Sequence, residues 1–268
     1  MDHYIFNPNS GRPQVFSHGG GTQGSAICAL IAAGRLPVPA VAVIADTGRE
    51  SSPVWRYFDR YTKPALVAAG VSVIERLPHS YDGTGWNTVD IYSGKDRNTI
   101  LMPMFTDKSG APGMLPKYCS NEWKRRPVER FLRSIGIKRA DVWIGFSVDE
   151  AATRARFNHE AKFRDVYPLI EHGVSRQDCI EIVRAAGWPD PPRSACTQCP
   201  YRSNQEWIEQ RDNEPADQMD AILLERELRK RDPHVYFHRS CVPLDEVDWG
   251  AEPNVKHEPG CQSGLCFT

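Results

Sequence analysis

Short apolar runs alternate with helical patterns through roughly the first 155 residues, and this alternation leaves the chain few folds. "PQVFS" (13–17), the β-branched "AVAVIAD" (40–46), "VSVIERL" (71–77) and "ADVWIGFS" (140–147) read as strands. The second of these suits a strand buried on both faces. Between them, "SAICALIAAG" (25–34) predicts a helix closed by Gly34. Ser52 and Pro53 read as the N-cap and first turn of a helix through "VWRYFDRY", which Pro64 should interrupt or end. "NEWKRRPVERFLRSIG" (121–136) predicts a basic helix. Strand and helix in alternation imply a parallel sheet wound by crossover helices, an α/β fold.

The glycine- and proline-rich stretch 79–118 is too long for a plain connector and reads as a substrate-covering loop or an insertion. Beyond about residue 155 the texture turns helical. Ser175 opens "RQDCIEIVRAAG", Ser203 and Glu206 form a capping box before "WIEQ", and "PADQMDAILLERELRKRD" is an amphipathic helix. The expected division is an α/β domain over 1–155 with its insertion near 79–118, then a helical region over 156–268. The stretch 250–268 reads as a mobile tail carrying Cys261 and Cys266.

A net charge of −1 excludes a bulk basic surface for nucleic acid, although a local patch is compatible with it. No apolar run approaches the ~20 residues that span a bilayer, and the first residues lack a signal-peptide pattern. The expected compartment is the reducing cytoplasm, with no membrane partner. There the eight cysteines read as metal ligands, catalytic thiols or buried small hydrophobes rather than disulfides. Cys28 and Cys241 are expected to be structural.

"VFSHGGGTQGSAICAL" (15–30) sets a strand, a glycine-rich turn and a helix start in succession. This order makes an anion site, because glycines admit a phosphate to the backbone amides and the helix dipole favours negative charge. It is neither the dinucleotide fingerprint nor a Walker loop. Gly19, Gly20 and Gly21 are the expected cradle, and a bulky residue at Gly20 is expected to block it without disturbing the fold. His18 beside the loop either touches phosphate or faces solvent. In "ADTGRE" (45–50), Asp46, Thr47 and Gly48 fall at a strand's C-terminal end, where open parallel sheets hold nucleotides. The same three residues also suit a plain turn capping the next helix. Cys196 and Cys199 form a C-x-x-C that fits zinc, an iron–sulfur cluster or a redox pair. Lys124, Arg125, Arg126 and Arg130 give a basic helix face for phosphate, a nucleic-acid backbone or solvent.

Taken in order, these stretches resemble the adenine nucleotide alpha-hydrolase superfamily, which includes ATP pyrophosphatases, tRNA and DNA sulfurtransferases and phosphoadenosine phosphosulfate (PAPS) reductases. "GGGTQG" occupies the place of "SGGKDS", with Thr22, Gln23 and Gly24 where lysine, aspartate and serine are usual. Ser25 or Ser17 is then the source of the hydroxyl. "ADTGRE" resembles the reductases' "DTG" followed by an acidic residue, here Glu50. "CSNEWKRRPV" (119–128) is similar to "CCxxxKxxPL", keeping Cys119, Lys124 and Pro127 but with Ser120 for the second cysteine. "GFSVDEAATR" (145–154) keeps Gly145, Asp149 and Arg154, with Ser147 where the reductases place arginine. "YPLIEH" and "DCIEIVRAAGWP" then lead to "CTQCP", and Cys179 falls at an apolar core position.

The resemblance implies a Rossmann-like parallel sheet of the alpha-hydrolase type with a smaller helical, cysteine-containing region. It implies ATP or a sulfonucleotide with Mg2+, held by Ser17, Gly19, Gly20, Gly21, Gln23, Ser25, Asp46, Thr47, Gly48, Lys124, Asp149 and Arg154. Cys119, Cys196 and Cys199 would ligate a 4Fe–4S cluster, with zinc as second choice. Asp46 and a tail thiol, Cys261 or Cys266, would be catalytic. The implied activity is ATP-dependent adenylation with sulfur transfer. Its implied partners are a nucleic-acid or small-molecule acceptor and a sulfur-donor or reductant protein. Sulfonucleotide reduction and a non-catalytic accessory role are the alternatives.

Overall fold

The computed structural model describes residues 6–78, 92–93, 99–156 and 161–250. Its first half runs β1 (Gln14–His18), α1 (Thr22–Ala32), β2 (Val41–Asp46), α2 (Ser52–Tyr57), α3 (Lys63–Ala68) and β3 (Val73–Pro78). Short strands β4 (Tyr92–Ser93), β5 (Thr99–Ile100), β6 (Phe105–Thr106) and β7 (Gly113–Met114) follow. Next come α4 (Arg126–Ser134), β8 (Ala140–Ile144), α5 (Ala151–Arg154), β9 (Phe163–Val166), α6 (Pro168–Glu171) and α7 (Arg176–Ala185). The chain then forms α8 (Asn204–Asn213), α9 (Pro215–Arg231) and β10 (Val235–Tyr236).

Strands β3-β2-β1-β8-β9 form one sheet, and every pair in it is parallel. The expected α/β fold is thus observed. The boundary expected at 155 falls inside this sheet, because β9 adds its fifth strand at 163–166. Side chains alternate across the sheet with period two. Phe16, Ala42 and Trp143 face a core shared with Ile27 and Ile31 of α1 and Val183 of α7. Val15, Val43 and Val142 face the opposite core, with Val128 and Leu132 of α4. Cys28 and Cys179 are fully buried in the first core, as small apolar fillers.

Local deviations from the expected elements have identifiable causes. Helix α1 begins at Thr22 rather than 25, since Gly21 is its N-cap, and Gly34 takes φ 67° just past its end. Ser51, not Ser52, caps α2. The Ser52 amide and hydroxyl instead bond Asp217, at 2.8 and 2.6 Å. Pro64 does not end the helical run, because a wider π-turn, Phe58–Thr62, precedes it and α3 resumes with proline in its first turn. A proline lacks the amide a regular turn needs, and the wider turn accommodates its ring. Ser175 and Ser203 form capping boxes with Asp178 and Glu206.

A second apolar core joins Leu101, Met102 and Met104 to Trp207, Leu224 and Phe237. There β6 pairs antiparallel with both β10 and β7. The described part of 79–118 is therefore built into the same core as α8 and α9; residues 79–91 and 94–98 of that segment lie outside the described residues. Among the described residues no helix is long and apolar enough to cross a membrane.

At the N-terminal edge of the sheet, Asp141 is fully buried and accepts two bonds from Arg164, at 2.8 and 2.7 Å, and one from Ser10 at 2.6 Å. Burial works against its charge, but these donors and Gln14 hold its pKa below the usual carboxylate value. Asp141→Ala strands these donors and is expected to lower stability by roughly 2–4 kcal/mol in urea unfolding. In the wild type the same contribution should be present above the ordinary carboxylate pKa and fade as pH falls below it.

Candidate functional site

Strand β1 ends in His18, and the chain turns over it through Gly19, Gly20 and Gly21 into α1. The ring of His18 is buried beneath this turn. The Gly20 amide donates to its Nδ1 at 3.2 Å, and Nε2 faces the Thr62 hydroxyl at 3.3 Å. Burial pushes the imidazole down to about 4, so it is neutral at pH 7. His18 is thus not solvent-facing, and its neutral ring supports the loop. Gly24 is tied to this arrangement, since a Cβ there would lie 2.4 Å from His18 Nδ1. At Gly20, φ is 77° and a Cβ would lie 2.6 Å from Val54 Cγ1. A bulky residue at Gly20 would therefore disturb the fold, contrary to expectation. Gly21 has an ordinary extended backbone, and its Cβ would make only van der Waals contact with Ser194.

The loop after β2 lies along the C-x-x-C segment. Thr197 N–H donates to Arg49 O at 2.7 Å, Ser51 N–H to Ala195 O at 3.3 Å, and Glu50 bridges Cys196 in antiparallel fashion. The Thr47 hydroxyl meets Cys196 Sγ at 3.1 Å. Glu50, buried, accepts from Ser194 Oγ at 3.1 Å and faces Lys124 Nζ at 3.9 Å. Burial works against the Lys124 charge, but Glu50 and the nearby Cys196, Cys119 and Cys199 hold its pKa above the ordinary value.

One cleft of about 690 Å³ joins these parts. Gly21, Thr22, Gln23, Thr47 and Lys124 line it, together with Cys119, Cys196 and Cys199. Asp149 and Arg154 line it as well. Asp149 accepts from Ser147 Oγ at 3.1 Å and from the Arg176 amide at 2.6 Å, and Arg154 pairs with Glu150. Ser147 is fully buried as the N-cap of the turn Val148–Glu150, where it presents no charge. A narrower cavity of about 80 Å³ adjoins, lined by Ser17, Gly19, Glu50 and Asp165 and sharing Gly21, Gln23, Lys124 and Gly145 with the cleft.

Other expected site residues stand elsewhere. Asp46 lines neither cavity; its carboxylate accepts from the Gly48 amide at 2.7 Å and from Arg76 Nε at 2.6 Å. Arg76 also stacks 3.5 Å over the Trp55 ring. Asp46 and Gly48, at φ 73°, therefore build the turn, while Thr47 and Glu50 face inward. Ser25 is fully enclosed within α1 and lines neither cavity. The basic helix face is paired with carboxylates: Arg125 with Glu129 and Asp165, and Arg126 with Glu122. Cys261 and Cys266 lie outside the described residues.

The three cleft thiols share one wall with Lys117, Pro200 and Tyr201. Burial pushes the Cys196 thiol up, and Glu50 adds to this; burial also raises Cys119, opposed by Lys117. Burial lowers Lys117 to about 8. Among the described residues no group of three or more His, Cys, Asp or Glu side chains is gathered as a metal-ion site. The donor chemistry thus suits a thiophilic centre, whereas its arrangement does not present a formed one. Sequence reading missed Lys117, Arg176 and Arg193 of the cleft wall. Lys117 and Arg193 sit in segments without periodicity, where only the proline-rich approach to "CTQCP" hinted at a shaped loop. Arg176 opens α7, whose local pattern does not tell that its first residue meets the cleft.

Fold and site together define an α/β protein with a glycine turn and a thiol-lined cleft at the C-terminal ends of its parallel strands. The structure is similar to that of PAPS reductase from Candida auris, in a phosphate complex, with 12% identity over 67% of this chain and 75% of that one, at a TM-score of 0.41. No family model and no curated protein matches the chain.

The buried imidazole makes stability depend on pH. The unfolded chain binds a proton near 6.5 and the folded chain only near 4, so stability is full above 6.5 and lost as pH falls toward 4. The loss should reach about 3 kcal/mol in unfolding titrations, and His18→Gln should remove that portion of it. Gly24→Ala should destabilise by about 1–3 kcal/mol through the clash with His18.

Proposed function

We propose that this protein is a nucleotide-binding enzyme that seats an adenine nucleotide with its phosphates on the Gly19–Gly21 turn and carries out sulfur transfer at the adjoining thiols. The single observation that carries the reading is that one cleft contains both the first turn of α1 and Cys119, Cys196 and Cys199. The free amides at the start of α1 and its dipole attract phosphate oxygens. Lys124, kept charged by Glu50, supplies a cation to the same end. Asp149 and Glu150 line the cleft, and their carboxylate oxygens would hold Mg2+, which would supply positive charge against the phosphates.

In the ATP reading, a substrate oxygen attacks the α-phosphorus, the bond to pyrophosphate breaks, and the adenylated oxygen then leaves as AMP when sulfur replaces it. A 4Fe–4S cluster on Cys119, Cys196 and Cys199, the soft donors that suit iron–sulfur or zinc, would supply an iron site for that sulfur. The chain's own task is to hold the phosphates, neutralise them through Lys124 and limit water at the half-buried thiols. The acceptor in this reading is a nucleic acid or a small molecule, served by a sulfur-donor or reductant protein.

A second reading, sulfonucleotide reduction, is favoured by Arg154, Arg176 and Arg193 on the cleft wall, which suit an additional anionic group. The neutral Ser147 weighs against it. The two readings separate in assay, since the first releases pyrophosphate from ATP and the second sulfite from a sulfonucleotide. Silence in both leaves the accessory role.

Gly21→Ala, whose Cβ meets Ser194 only at van der Waals distance, is expected to weaken binding of a non-hydrolysable ATP analogue in calorimetry while lowering the melting temperature only slightly. Lys124→Ala should weaken that binding roughly 10- to 100-fold by removing a charged contact. Unchanged affinity in both variants would overturn the phosphate site. Anaerobically purified protein should contain iron and acid-labile sulfide, lost on replacing Cys119, Cys196 or Cys199 but not Cys28 or Cys179. One zinc per colourless chain would overturn the cluster.

A further inference from the structure

Ser120 occupies a position that ordinary helix chemistry does not explain. It is the second residue of a helical run that begins at Cys119 and widens at Asn121–Arg125, so its hydroxyl is not placed to cap the helix start. Here its backbone is helical, at φ −62° and ψ −42°, and the side chain makes no cap. The residue is only 5% exposed, and among the described residues its Oγ has no hydrogen-bond partner. It lines the same cleft as Lys117, Cys119 and Lys124. An enclosed hydroxyl without a partner is destabilising by about 1–3 kcal/mol, so such groups are rare unless something else satisfies them. Ser25, the other fully enclosed serine with an unpartnered Oγ, lines neither cavity and carries no such implication.

We infer that Ser120 is a ligand-contacting residue, whose hydroxyl donates a hydrogen bond to an anionic oxygen, phosphoryl or sulfonyl, of the molecule bound in the cleft. This rests on the nucleotide reading above and adds to it the group that meets the anion on the thiol side. A rotation about the Cα–Cβ bond is the only movement needed to redirect a serine hydroxyl. Lys117 and Lys124 bring positive charge to the same wall, which suits an anionic acceptor over a neutral one. The contact also gives Ser120 a task distinct from thiolate ligation, for which an alcohol oxygen is a poor substitute.

The test compares wild type with Ser120→Ala by calorimetry of the full chain, using a β,γ-imido ATP analogue with Mg2+, PAPS and adenosine as probes, alongside unliganded melting curves. The expected result is a roughly tenfold weakening toward at least one anionic probe, with adenosine affinity unchanged. Loss confined to the ATP analogue identifies a phosphoryl oxygen, and loss confined to PAPS identifies its sulfonucleotide end. The melting temperature of unliganded Ser120→Ala should equal or exceed that of wild type, since an unsatisfied hydroxyl is removed. A lower melting temperature, equal weakening toward adenosine, or unchanged affinity for both anionic probes would overturn the assignment. Wild-type protein that binds none of the probes would overturn the nucleotide reading and this assignment together, whereas wild-type binding unaffected by Ser120→Ala overturns only the latter.

Discussion

The backbone contact between residues 49–51 and 195–197 is the constraint on which the cleft depends. Two main-chain hydrogen bonds and the Thr47–Cys196 contact lay the loop after β2 against a segment almost 150 residues away. Arg49 extends the same contact by pairing with Asp220 of α9. The parallel sheet alone offers only an open edge where its strands end. Once the C-x-x-C segment is fastened across that edge, the edge becomes a cleft lined by both the glycine turn and the thiols.

Enclosure changes the chemistry of what lines it. Charges taken from water need partners, and Lys124 has Glu50, Arg154 has Glu150 and Arg193 has Glu206. Each of these residues faces or borders the cleft, so an anionic ligand would enter a field already shaped by fixed pairs rather than by mobile surface cations. The Cys119 and Cys196 thiols respond in the opposite sense, being pushed toward their neutral forms. Their reactivity is thus conditional on something that stabilises thiolate, whether a thiophilic metal or the nearby lysines.

His18 and Gly24 show how the glycine turn acquires its shape. A neutral ring fills the space beneath the turn and accepts the Gly20 amide, and the only residue that fits beside it at position 24 is one without a side chain. The glycine at position 24 therefore answers to His18, and no phosphate contact is required to account for it.

Much of the scaffold was legible because its signals are local. Apolar runs of strand length, β-branched residues, capping boxes at Ser175 and Ser203, and Gly34 after α1 all act through neighbours in sequence. Strand β9 escaped notice because "FRDV" carries Arg164 and Asp165 at its centre. Their charges are absorbed by Asp141 and Arg125, partners 23 and 40 residues away. The site divides along the same line. Sequence alone determined that an amide-rich turn meets a helix start and that two cysteines flank one loop, since both follow from adjacency. Only the tertiary structure decided that Asp46 turns to Arg76, that Ser25 is enclosed, that His18 is neutral, and that Cys119 and Ser120 share a wall with Cys196. Those outcomes depend on which distant side chains exclude water and supply charge, and no local pattern encodes that.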